Sequence, residues 1–182
     1  EGEVLQLMNM HDASLDEEGY LRVIRSKTAK LFEASARLGA ILAGSPVAIE
    51  TACADYGQAL GTAFQVIDDV LDYDGNAAEM GKNLGDDLRE GKRTVLVALT
   101  LQGLNPSIGR IFEELLTSRE LEPEQIAFMQ QTITESGALA KTERMMEELA
   151  DESLNALEVL DIDPRAKENL KALALKVINR EA

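Results

Sequence analysis

The sequence has little of what builds disulfide scaffolds, sheets or membrane spans. A single cysteine, Cys53, cannot close an internal disulfide, which suits a reducing, cytoplasmic setting. Four prolines and 4% aromatic residues, with almost no period-two alternation, disfavour a sheet architecture. No apolar run approaches the ~18 residues needed to cross a bilayer, so no transmembrane segment is expected. Positive charge is scarce too: 18 Lys and Arg against 33 Asp and Glu leave a net charge of -15. Such a field repels nucleic-acid backbones, and any anionic ligand must be met by local cations or by metal ions. The chain opens at Glu1 rather than methionine, with no signal segment after it, and the expectation is that a preceding segment has been removed.

What is abundant is alanine, leucine and glutamate, at helical spacing. Apolar periodicity predicts one helix over residues 20–42, broken at Gly44-Ser45-Pro46, and a second over 47–73. Residues 74–92, with Gly75, Gly81, Gly85 and Gly91, read as a long ordered loop of the kind that carries function. Further helices are expected over 94–102, 105–118, 123–136, 139–160 and from Pro164 onward, the last with Asp163 as N-cap. With no repeat and no linker, 182 residues make one all-α domain of layered helices.

The chemistry concentrates on the second helix. Gly61, Gln65, Asp68, Asp69 and Asp72 fall on one stripe at helical spacing, with Phe64, Ile67 and Leu71 opposite. Three carboxylates on one face repel each other unless a cation is present, and aspartate is a poor interior helix former. The alternative is a solvated acidic face, but such faces mix Glu with Lys, and this one does not. Magnesium, which takes oxygen ligands and shares one or two carboxylates with phosphates, suits the Asp-Asp-x-x-Asp spacing. A calcium loop starting at Asp72 fails, because Ala77 and Asn83 stand where glycine and an acid are required. Lys82, Lys92, Arg89 and Arg93 follow the aspartates, and Lys27-Thr28 lies on the preceding helix. If the two helices run antiparallel, Lys27 comes near Asp72, and a pyrophosphate between metal and lysines would have its charge matched.

These residues resemble a known family, the trans-type polyprenyl diphosphate synthases. The run Phe64 to Asp72 resembles its second aspartate-rich motif. The run Gly81 to Lys92 is similar to its lysine-bearing loop, and Tyr20, Ile24 and Lys27-Thr28-Ala29 to its Lys-Thr segment. Glu1-Gly2-Glu3-Val4-Leu5-Gln6-Leu7 is most like the long-chain, octaprenyl and solanesyl versions. The resemblance implies an isoprenoid-synthase-type helical bundle and an enzyme that extends an allylic diphosphate with isopentenyl diphosphate, using Mg2+ to assist ionisation.

It further implies that Asp68, Asp69 and Asp72 serve the metal, with Asp68 the direct ligand and Asp86 in water-mediated contact. Lys27, Lys82 and Lys92 would hold the allylic diphosphate. Lys27, Thr28 and Gln65 would be catalytic, Thr28 and Gln65 positioning the substrate and aiding proton removal, while Phe64 shapes the hydrocarbon wall. A homodimer is implied, with the alanine-rich face of residues 37–54 as a contact.

The family's first aspartate motif and its isopentenyl-binding Lys, Arg and His have no counterpart here, and His11, the one histidine, does not match. The resemblance is strong to about Gln102 and holds only in pattern beyond. The chain is therefore read as the C-terminal portion of one synthase domain, expected to lack turnover alone. Two other readings compete. A non-catalytic subunit of a heteromeric synthase would carry degraded aspartates, and a terpene cyclase would carry an Asn/Ser/Glu metal motif.

Overall fold

The computed structural model describes residues 1–10, 12, 14–73, 86–118 and 120–179. Among these the regular elements are all helical, as the composition predicts. They are α1 (Gly2–Asn9), α2 (Glu17–Ile24), a π-helical turn (Arg25–Ala29), α3 (Lys30–Leu42), α4 (Val47–Leu71), α5 (Asp86–Arg89), α6 (Val95–Gly103), α7 (Pro106–Leu116), α8 (Pro123–Glu135), α9 (Ala138–Glu158) and α10 (Pro164–Ile178). No described helix is long and apolar enough to cross a membrane.

The 25-residue α4 is the axis of the fold. It lies antiparallel to α2 and α3, and side-chain contacts step down the pair in reverse order. Tyr20 meets Asp69, Thr28 meets Gln65, Glu33 meets Gln58, and Arg37 meets Glu50. The approach is close because Gly61 carries no side chain. A Cβ there would lie 2.7 Å from the Ala29 Cα, a backbone atom that cannot swing aside. On another side α4 packs along α9, and Leu157, Leu160 and Ala174 join Tyr56 and Leu60 in one apolar cluster.

The larger cluster surrounds α6, whose residues from Val95 to Thr100 are all buried. A helix apolar on every side belongs at the centre of a bundle, and Phe112, Leu116, Met129 and Ile133 close over it. Polar caps delimit the outer helices. Asn105 accepts from the Ser107 and Ile108 amides at 3.1 Å before Pro106, and Asp163 accepts from the Ala166 amide at 3.0 Å, the N-cap expected of it.

Three local features differ from the sequence expectation. The helix over 20–42 begins earlier, at Glu17, where Asp16 caps the Gly19 amide, and it is interrupted by the π turn. A π turn accommodates an extra residue, a deviation that apolar periodicity does not register. Residues 86–89 are a helical turn rather than loop, held by the fully buried Leu88 and stopped at Gly91, whose φ of 65° is left-handed. Residues 74–85, which include Lys82, Gly75, Gly81 and Gly85, lie outside the described residues, as does His11. Finally, α1 has no expected counterpart; its eight residues are too few for periodicity to separate from a loop.

Candidate functional site

The site is built where the π turn faces the C-terminal half of α4. Asp69 is buried, 7% exposed, although it is ionisable. Its Oδ2 accepts from the Tyr20 hydroxyl at 2.7 Å and its Oδ1 from Gln65 Nε2 at 2.9 Å. Gln65 Oε1 in turn accepts from the Thr28 hydroxyl at 2.8 Å. Every proton in this chain is directed toward Asp69. Burial pushes the Asp69 carboxyl up to about 7, the bonds from Tyr20 and Gln65 oppose that shift, and the neighbouring Asp87 and Asp68 add to it. Tyr20, wholly buried against the same acid, has its hydroxyl pushed well above the ordinary tyrosine range, first by burial and then by Asp69.

The lysines are held by side chains of the protein. Lys27 Nζ donates to Gln6 Oε1 at 2.5 Å and lies 3.4 Å from Glu3, both on α1. That helix sits directly on the π turn because Gly2 leaves room: a Cβ there would overlap the Lys27 backbone. Lys92 Nζ meets Asp87 at 2.8 Å and Glu90 at 2.7 Å. Burial alone would lower its pKa, but the hydrogen bonds to Asp87 and Glu90 override it, so Lys92 stays charged. Beside it, the Arg93 Nε donates to the Leu15 carbonyl and ties the segment before α2 to the start of α6.

A cavity brings Tyr20, Lys27, Gln65, Asp69, Lys92 and Arg93 together, with Thr28 behind Gln65. Asp68 and Asp72 do not line it. Asp68 is half-buried, and the buried Asp72 accepts from the Asp87 backbone amide at 3.3 Å, linking the end of α4 to α5. Two expectations are thereby modified. Lys27 lies by Gln65 and Asp69 rather than by Asp72, because Thr28 is in register with Gln65, two turns before the end of α4. The three aspartates do not gather, and among the described residues no three Asp, Glu, His or Cys side chains are placed to hold a metal by themselves. A helix turns about 100° per residue, which carries Asp69 away from Asp68 and onto the α2 side, where Tyr20 receives it. Asp86 stands in the first turn of α5, paired with Arg89 at 2.9 Å.

Sequence reasoning gave no role to Tyr20, Gln6 or Asp87. Tyr20 acts on a partner 49 residues away, which apolar spacing along one helix does not reveal.

The family model described as polyprenyl synthetase matches residues 1–133. The octaprenyl diphosphate synthase of Escherichia coli (strain K12) is 42% identical over 185 aligned residues, covering 100% of this chain and 55% of that protein. A polyprenyl synthase from Caulobacter crescentus CB15, crystallised with calcium and isoprenyl diphosphate, superposes with a TM-score of 0.89 at 40% identity, covering 100% of this chain and 55% of its own. A geranylgeranyl pyrophosphate synthase from Corynebacterium glutamicum, crystallised with isoprenyl diphosphate and magnesium, does so with a TM-score of 0.88 at 34% identity, covering 99% and 51%. The chain thus spans about half the length of the relatives it matches.

One expectation is corrected by these matches. The likeness was expected to be strong only to about Gln102 and to mark a C-terminal portion. Instead the family model continues to residue 133, and the E. coli and C. crescentus relatives cover the whole chain, α9 and α10 included. A match of this extent, in sequence and in fold, assigns the family: the chain belongs to the polyprenyl synthetases.

Proposed function

We propose that the chain serves prenyl transfer: the extension of an allylic diphosphate with isopentenyl diphosphate to give a long polyprenyl diphosphate. The observation that carries this reading is the convergence of Lys27, Gln65, Asp69 and Lys92 on one cavity beside the helix that bears Asp68 and Asp72. Lys27 and Lys92 supply positive charge in a chain that is otherwise strongly acidic, and with Lys82 they would hold the allylic diphosphate. Both described lysines are already hydrogen-bonded, so an incoming diphosphate exchanges one set of acceptors for another, and the ammonium groups are not left bare before it arrives.

The donor set fits magnesium in one particular way. It consists of carboxylate oxygens, and it falls short of an all-protein cage, so an ion would take one or two aspartates and complete its shell with diphosphate oxygens and water. Asp68 would be the direct ligand, while Asp69 and Asp72, which do not converge with it on one point, would serve the ion through its water shell, as would Asp86. Bound there, magnesium would neutralise the diphosphate and stabilise it as a leaving group. Thr28 has committed its proton to Gln65, so its oxygen is left as an acceptor. This suits a role in orienting the substrate and receiving a proton better than one of donating to a phosphate. Phe64, whose ring lies 5.6 Å from that of Phe32, would form part of the hydrocarbon wall. The reading extends to a homodimer, for Leu38, Ile41 and Val47 stand exposed along the face expected to meet a second copy. It extends also to a cytoplasmic setting, in keeping with the lone Cys53.

Calorimetry of the chain with inorganic pyrophosphate tests the reading. Binding is expected with Mg2+ present and absent without it, and it should be lost in Asp68→Asn. Binding that ignores both the ion and the substitution would overturn it.

A further inference from the structure

The functions proposed above leave Tyr20 without a role, yet it makes the shorter of the two described hydrogen bonds to Asp69, a buried acid of the site. Its hydroxyl is buried and donates to Asp69 Oδ2 at 2.7 Å, across from α2 to α4. Buried tyrosines commonly find some acceptor, and many bond a nearby carbonyl. This one bonds a carboxylate which, among the described residues, no lysine or arginine meets in an ion pair.

The consequence lies in how hydrogen-bond direction passes along the chain. Asp69 has two oxygens, and each is taken by one fixed donor, Tyr20 on Oδ2 and Gln65 Nε2 on Oδ1. The carboxyl group is thereby held in one rotational setting. Gln65 has one donor end and one acceptor end. With its NH2 group turned to Asp69, its Oε1 must face the π turn, and it does so at 2.8 Å from Thr28 Oγ1. The Thr28 hydroxyl has a single proton, which goes to Gln65. Were the Gln65 amide turned over, Thr28 would have to accept, and its proton would swing elsewhere.

We infer that Tyr20 is a positioning residue of this site: by holding Asp69, it sets the orientation of the Gln65 amide and hence the direction of the Thr28 hydroxyl. The relay itself stands on these four side chains alone; its bearing on ligand binding rests on the prenyl-transfer reading above.

The test is Tyr20→Phe in the full chain, which keeps the ring in the core and removes only the hydroxyl. The first readout needs no ligand: hydrogen exchange of the Gln65 side-chain amide, followed by NMR on glutamine-labelled protein. Loss of one charge-assisted hydrogen bond should speed that exchange by about tenfold or more, while backbone amides of α4 and α6 keep their protection. Unchanged Gln65 exchange would overturn the inference. The second readout is calorimetry with inorganic pyrophosphate and Mg2+, where affinity should fall by a similar factor. A loosened amide with unaltered affinity would likewise overturn the positioning role.

If the unsubstituted chain binds no pyrophosphate while Tyr20→Phe still frees the amide, the relay stands and the prenyl-transfer reading fails. Thr28→Val supplies an independent check should Tyr20→Phe not fold. It removes the far end of the chain and should leave Gln65 exchange slow, because the amide is held from the Asp69 side. Exchange accelerated tenfold in Thr28→Val would overturn the proposed direction.

Discussion

Tyr20 and Asp69, 49 residues apart, share a buried hydrogen bond of 2.7 Å that joins α2 to α4. It gives the acid of the site a neutral partner where a cation would be usual, and leaves burial as the largest influence on its ionisation.

The first expected outcome is a pH dependence of stability. Folding raises the Asp69 carboxyl from its ordinary 3.8 to about 7, so the native state holds that proton more tightly than the unfolded chain does. The contribution is fully present below about pH 4 and is lost as pH rises toward 7. Urea unfolding between pH 4 and 8 should show stability falling over that window, with the fall much reduced in Asp69→Asn. Equal slopes in the two proteins would contradict the assignment.

A pair of glycines separates close packing from helix propensity. Gly61→Ala places a Cβ against the Ala29 backbone and should destabilise the protein by about 1–3 kcal/mol. Gly39→Ala meets nothing within 4 Å inside α3 and should be neutral or stabilising by about 0.5–1 kcal/mol. Thermal denaturation of both decides the point. Equal melting temperatures would show that α3 and α4 can part at no cost.

Charge at Lys27 can be altered from its neighbour. Gln6→Glu adds a negative charge beside an ammonium that already has Glu3 at 3.4 Å. Affinity for pyrophosphate with Mg2+ should fall several-fold, about 1 kcal/mol for a partly exposed pair, and the loss should shrink as salt is added. Lys27→Met should weaken binding further while leaving the melting temperature within about 2 °C, since a surface substitution changes stability little. Unchanged affinity in both would remove Lys27 from the site.

The last prediction concerns α10. Asp163 caps this helix through the Ala166 amide, and Asp163→Ala should cost about 1 kcal/mol. Asp163→Ser, which keeps an acceptor oxygen, should recover most of it. Chemical denaturation of the two variants is the measurement, and equal loss in both would show that the cap is not the cause.

Much of the architecture was legible in the residues. The long apolar period of α4, the helix start around Asn105-Pro106, the cap at Asp163, and the uniformly apolar α6 each follow from short-range rules that act within one helix. The placing of Asp68, Asp69 and Asp72 along and at the end of α4 was legible for the same reason, but not that Asp69 turns to Tyr20 and away from Asp68. The π turn was not, because a one-residue register change costs little in apolar periodicity. Within it, Lys27 faces α1 while Thr28, the next residue, faces α4.

By itself, then, the sequence determined the class of the fold, the helix that carries the acids, and the cations available to oppose them. Those properties depend on residue type and on spacing within one element. Tertiary structure decided what each group does. It turned Asp69 inward to Tyr20 and Gln65, set Asp72 on the Asp87 amide, and brought Lys92 into the same cavity as Lys27. The physical reason is that hydrogen-bond direction and burial are properties of pairs, and these pairs form only when distant helices pack.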